Sequence, residues 1–198
     1  PIVFLSYAIA YIDRANVALA KITMSKDLGF DDEIFGTGYG LFFLGYVLLE
    51  VPGALLVERW SDRKMMSRIM VSCGIVTALT ALVKTPHQFY GMRILLGIAE
   101  AGFFPGAIVY LTHWFPARDR ARALALLVVA APIAQMISMR VSAPILRIGT
   151  TELVNGVAGS TPPLFGLHGW QLTYIVWAVP AVVMGFVVFF KLIDRPAQ

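Results

Sequence analysis

Charge is scarce in this chain. Asp, Glu, Lys and Arg make up 14% of its 198 residues and hydrophobic residues 58%, where soluble domains carry about 25% and about 45–50%. That balance excludes an ordinary water-soluble domain, and the shortage of polar residues excludes a disordered chain. Cysteine is nearly missing: Cys73 stands alone in an apolar run, so no intramolecular disulfide framework exists. Period-two alternation is missing as well, which argues against an outer-membrane barrel, and the long continuous apolar runs argue against a coiled coil. His87, His113 and His168 fall at segment ends, too scattered for a metal site, and no cofactor is expected. The only Asp in the middle of an apolar segment is Asp13, which leaves an intramembrane enzyme without paired aspartates or a nucleophile and base.

What is present is apolar length. Mean hydropathy is +0.74, and at about twenty residues per span plus a connection the chain provides for about six spans. Six segments read as membrane helices, at about 1–25, 34–58, 66–83, 87–114, 120–147 and 169–191. The first connection carries Asp27, Asp31, Asp32 and Glu33 against Lys26, whereas the second carries Arg59, Arg63, Lys64 and Arg68. Basic connections belong on the cytoplasmic side. Arg118, Arg120, Arg122, Lys191 and Arg195 fall on that same side, so both ends of the chain are expected to be cytoplasmic. The net charge of +4 is thereby explained by a lipid bilayer and not by nucleic acid. The fifth connection, 149–169, is rich in Gly, Thr, Ser and Pro and reads as a flexible external linker. The chain opens at Pro1, already inside an apolar stretch, so truncation within the first helix is expected.

An ionisable residue inside a span costs about 2.5–3.5 kcal/mol on insertion scales and is a functional hypothesis by default. Here these residues are Asp13, Arg14, Glu50, Arg93, Glu100 and Arg140. Asp13 and Arg14 are adjacent, so on a helix they point about 100° apart: one can line a cavity while the other meets a neighbouring helix. Arg93 and Glu100, seven residues apart, share nearly one face and are expected to look into one central cavity at two depths. Tyr46 and Glu50 share a face of the second segment, with Tyr46 near mid-depth. Arg140 lies far enough out to snorkel toward the interface. Small residues spaced by four, Gly97 with Ala101 and Gly102 with Gly106, suit close helix approach, and Pro52, Pro105, Pro132 and Pro144 suggest bends. A buried ion-pair network that only fixes packing remains open at this point, as does a structural or assembly bundle.

Four stretches together resemble the major facilitator superfamily, and within it the anion:cation symporter branch. They are Tyr11-x-Asp13-Arg14-x-Asn16; Phe42-Phe43-x-Gly45-Tyr46 running through Glu50 and Pro52 into Glu58-Arg59 and Arg63-Lys64; Arg93-x-x-x-Gly97-x-x-Glu100-Ala101-Gly102-x-x-Pro105-Gly106 with Trp114-x-Pro116; and Gly169-Trp170-Gln171 with Asp194-Arg195-Pro196. The sequence departs from the pattern at Ser61, where a glycine is usual, at Met139-Arg140 and at Trp177, where relatives usually carry an acid.

The resemblance implies an all-α membrane protein: residues 1–198 would be the N-terminal half of a twelve-helix fold, six helices in two inverted three-helix repeats, with the C-terminal six helices absent. It implies a proton-coupled symporter for small organic anions, in which Arg14 contacts the substrate carboxylate, Tyr11, Tyr46 and Arg93 line its site, and Asp13 and Glu100 carry the proton. Glu58, Arg59 and Arg63 would form a gating loop that latches the halves. The expected partners are an organic anion, protons, lipid and the missing C-terminal half. The expected location is a cell membrane, the inner one in a bacterium. Tartrate-like, sugar-acid-like and aromatic-acid substrates all remain open, as does an anion exchanger without proton coupling.

Overall fold

The acidic connection after the first apolar segment turns in a few residues because Gly29 adopts φ +68°, a left-handed conformation that favours glycine. The Asp31 side chain then accepts the Ile34 N–H at 2.9 Å and starts the next helix. Ser61 starts the third in the same way, accepting the Lys64 N–H at 3.3 Å. A capping box of Thr85 and Gln88 with Pro86 in the first turn starts the fourth. The resulting order is α1 (Ile2–Leu28), α2 (Asp32–Arg59), α3 (Asp62–Thr80), α4 (Pro86–Glu100), α5 (Phe103–Trp114), α6 (Ala117–Leu146), β1 (Thr151–Val154), β2 (Val157–Ser160) and α7 (Gly169–Lys191). This computed structural model describes residues 2–59, 61–149, 151–154, 157–160, 163, 164 and 166–193, with backbone alone for 51, 53–59 and the two strands.

Three expectations change. The apolar stretch 87–114 is two helices, not one, because the Pro105 ring excludes the carbonyl four residues back, at Ala101, and Gly102 turns the chain at φ +88°. The linker 149–169 contains a short antiparallel pair, with Thr151 opposite Ser160 and Val154 opposite Val157. The third helix also begins at Asp62, four residues before the expected 66, since Ser61 supplies its cap.

By length and composition, α1, the α4–α5 stretch, α6 and α7 are each able to cross a membrane. The most extensive pairings are α3 with α7, α2 with α4 and α1 with α6. Counting α4–α5 as one unit, an exchange of the first three helical units with the last three turns α1·α6 into α2·α4 and leaves α3·α7 in place, as two related repeats require. Glycine sets these approaches. A Cβ on Gly97 would strike the Phe42 carbonyl of α2, one on Gly45 would strike the Ile94 carbonyl of α4, and Gly74 and Gly185 bring α3 and α7 together in the same way. Hydrogen bonds inside the bundle join Ser138 to Asn16 Oδ1 at 2.8 Å, Trp177 to Ser142 at 2.9 Å and Ser67 to the Gly185 carbonyl at 2.8 Å. The outside is greasy: Leu48 is 65%, Met136 70% and Phe190 75% exposed, a surface fit for lipid or another apolar body and not for water.

Candidate anion and proton site

Helix α1 divides its two adjacent charges as the 100° rotation requires. Arg14 turns to α2 and α4, where its Nε donates to Glu100 Oε2. Its guanidinium also lies 4.7 Å from the Tyr46 ring centroid and 5.5 Å from that of Phe42. Glu100 is buried, while the Arg14 side chain keeps 27% of its surface exposed. The pair therefore presents an arginine to open space, backed by an acid that cannot reach it. Glu100 owes its position to the helix break, because it is the last residue of α4 before the turn at Ala101 and Gly102.

Asp13 points elsewhere. It is buried, and neither of its oxygens bonds to a described residue. The Thr77 hydroxyl of α3 stands beside it, close enough to act on its charge though outside hydrogen-bond geometry. Arg93 departs from expectation as well: it does not share an open cavity with Glu100 and forms no ion pair among the described residues. Its guanidinium is buried against α2, 4.8 Å from the Phe42 centroid and 5.5 Å from that of Tyr39, because Gly97 one turn on lets α2 settle onto α4. Tyr11 is half-buried, with its ring 6.1 Å from that of Tyr7.

The three residues expected in a gating loop are not in a loop. Glu58 and Arg59 close α2 and Arg63 lies in the first turn of α3. The side chains of Glu58 and Arg59 lie outside the described residues. The Arg63 guanidinium sits 5.4 Å from the Phe189 ring centroid of α7. A contact that the sequence did not suggest joins the same region to α5: His113 Nδ1 faces the buried Asp62 Oδ2 at 3.4 Å. A cavity of about 570 Å³ opens at the end of the bundle formed by the starts of α1 and α6 and the ends of α5 and α7; it is lined mostly by apolar residues such as Val3, Leu111 and Leu127, with Lys191 at its edge, and holds none of the charged residues around Arg14. The chemistry follows the charges, not that cavity.

The sequence profile of the Major Facilitator Superfamily matches residues 3–198. The chain belongs to that superfamily. It is 42% identical over 198 residues to a putative tartrate transporter of Agrobacterium vitis, and 39% identical over 195 residues to a quinolone resistance transporter of Acinetobacter baumannii. All of the chain is covered in the first comparison and 98% in the second, but only 43% and 42% of the relatives, so this chain spans less than half of their length. In three dimensions it is similar to a bacterial homologue of the human lysosomal transporter Spinster in an inward-facing, unoccupied conformation, with a TM-score of 0.79 at 18% identity, covering 100% of this chain and 43% of that one. The likeness shows that this major facilitator chain has the fold of an N-terminal half. It is a multi-pass membrane protein of a family of transporters, not enzymes. Residues that sequence reasoning passed over are Thr77, Tyr39 and Tyr174, uncharged groups in spans whose proximity to Asp13 and Arg93 depends on how the helices cross.

Proposed function

We propose that the full-length protein is a proton-coupled symporter of small organic anions, working by alternating access in a bacterial inner membrane with both ends of this chain in the cytoplasm. One observation carries the reading: a partly exposed Arg14 whose carboxylate partner, Glu100, is buried. An incoming substrate carboxylate competes with Glu100 for the guanidinium. Once displaced, Glu100 would be an unpaired buried anion, which is costly, and it removes that cost by taking a proton. Anion binding and proton uptake are then one event. The Tyr46 ring packs against the Arg14 guanidinium, Tyr11 would contribute a hydroxyl to the substrate, and Asp13 provides a second carboxyl for the proton. A relative named as a tartrate transporter favours a carboxylate substrate.

The test is uptake of labelled tartrate and of an aromatic carboxylate by the full-length protein in vesicles, with and without an imposed pH gradient. Accumulation is expected only with the gradient and is expected to vanish in Arg14→Ala. Uptake indifferent to the gradient would replace symport by exchange. Unchanged uptake in Arg14→Ala would remove the anion site.

A further inference from the structure

Beside the Arg14–Glu100 pair, where Phe42 packs against both Arg14 and Arg93, polar atoms collect without partners. Both Asp13 oxygens, Asn16 Nδ2, the Thr77 hydroxyl, Arg93 Nε and the Tyr174 hydroxyl are all buried, and none bonds to a described residue; the Glu100 oxygen that Arg14 leaves free, Oε1, is in the same state. They come from four helices, α1, α3, α4 and α7. Asp13 and Asn16 lie three apart on one face of α1, and Thr77 adjoins Asp13 from α3. Tyr174 of α7 is within electrostatic reach of Arg93, Asp13 and Tyr39. The other titratable groups that reach Asp13 are Glu100 and Arg93 from α4 and Cys73 from α3; α6, also packed on α1, turns Ser138 to Asn16 Oδ1.

A buried polar group without a partner is costly, and so many in one place call for a shared ligand. The donor set says which. A metal ion needs ligands with a free lone pair, but Arg93 Nε and Asn16 Nδ2 are donors and the Arg93 cation repels a second one. Water accepts from the nitrogens and hydroxyls and donates to the carboxylate, so it fits all of them, and buried waters of this kind make about three hydrogen bonds each.

We propose that Asp13, Asn16, Thr77, Arg93 and Tyr174 enclose a hydrated compartment in which Tyr174 and Thr77 are positioning residues for the proton on Asp13. That this proton is the transported one rests on the symport reading above. The proton enters from water and returns to water, so nothing is consumed. The two carboxyls then have different surroundings: Glu100 answers to the substrate through Arg14, and Asp13 answers to confined water.

The test is an infrared pH titration of the full-length protein in lipid, following the protonated-carboxyl stretch that Asp13→Asn removes. Tyr174→Phe and Thr77→Val, near-isosteric changes whose folding is checked by thermal melting, are each expected to shift that band and to move its titration midpoint by about 0.5–1 pH unit, about the worth of one hydrogen bond. Tyr46→Phe, which removes a hydroxyl from the ring packed on Arg14, is expected to leave the band in place. A band unmoved by both Tyr174→Phe and Thr77→Val overturns the compartment, whatever the vesicles show. A band that moves in a protein that accumulates no carboxylate under a gradient supports the compartment and overturns its link to transport.

Discussion

Arg14 and Glu100, 86 residues apart in sequence, form an ion pair between α1 and α4 in which only the arginine reaches open space. If the pair couples anion to proton, the two halves of that event separate on mutation. Glu100→Gln keeps a side chain of the same shape that can still accept from Arg14 but can no longer carry the proton. Exchange of substrate across equal pH is expected to persist, with an apparent KM lowered severalfold because the guanidinium faces a weaker competitor, while accumulation driven by a pH gradient is lost. Exchange and accumulation measured in the same vesicles decide it. Loss of both would make Glu100 a structural or binding residue.

Not every glycine in the spans is equivalent, and the structure ranks them. Gly97 has no room for a Cβ, which would strike the Phe42 carbonyl, whereas Gly40 has nothing within 4 Å of that position. Gly97→Ala is therefore expected to cost about 1–3 kcal/mol by forcing α2 off α4. Gly40→Ala is expected to be neutral or to stabilise by up to about 1 kcal/mol, since it removes backbone freedom from the unfolded chain. Melting temperatures of the two variants in one detergent check the order. Because Gly97 also sets where Phe42 meets Arg93 and Arg14, its variant is expected to lose uptake together with stability.

This contrast shows what the sequence could and could not say. Long apolar stretches placed the helical segments, because apolar length is a local property. The divergence of Asp13 from Arg14 follows from helical rotation alone. The partners that each one meets do not: Glu100 for Arg14, and Thr77 for Asp13, depend on how closely α2, α3 and α4 approach, and that is fixed by glycines whose spacing looks alike whether they are packed or open. Arg93 is the clearest case. Its seven-residue spacing from Glu100 is real, yet α2 closes over it and turns an expected cavity residue into one held by the rings of Phe42 and Tyr39.

At the other end of α1, Trp170 Nε1 donates to Asp27 Oδ2 at 2.8 Å, and the ring is 1% exposed. This bond ties the end of α1 to the start of α7 next to the capping box of His168 and Gln171. Trp170→Phe keeps most of the apolar ring and loses the bond, so a destabilisation of about 1–3 kcal/mol is expected, the cost of a donor lost to a charged acceptor plus a partly filled site. Asp27→Ala is expected to cost less, because water can reach the acid's surroundings and rescue the indole N–H. A thermal melt in which the aspartate variant is the weaker of the two would show that the bond is not what ties the two helix ends.

The break between α4 and α5 rests on two residues, and so can be tested as a pair. Pro105 excludes the Ala101 carbonyl and prevents the helix from running on; Gly102, at φ +88°, accepts the turn that results. Gly102→Ala alone forces a side chain into a left-handed conformation at a cost of about 1–2 kcal/mol. Pro105→Ala restores the N–H that a continuous helix needs and removes the clash, so position 102 no longer has to turn. The double variant is therefore expected to be less destabilised than the sum of the single ones by at least about 0.5 kcal/mol, a coupling that distant sites do not show. Straightening α4 through α5 also rotates Glu100 away from Arg14, so this rescued protein should recover its melting temperature but not its gradient-driven uptake. Strict additivity in the melts would mean that Pro105 does not cause the break, and normal uptake in a rescued double variant would mean that the break does not place Glu100.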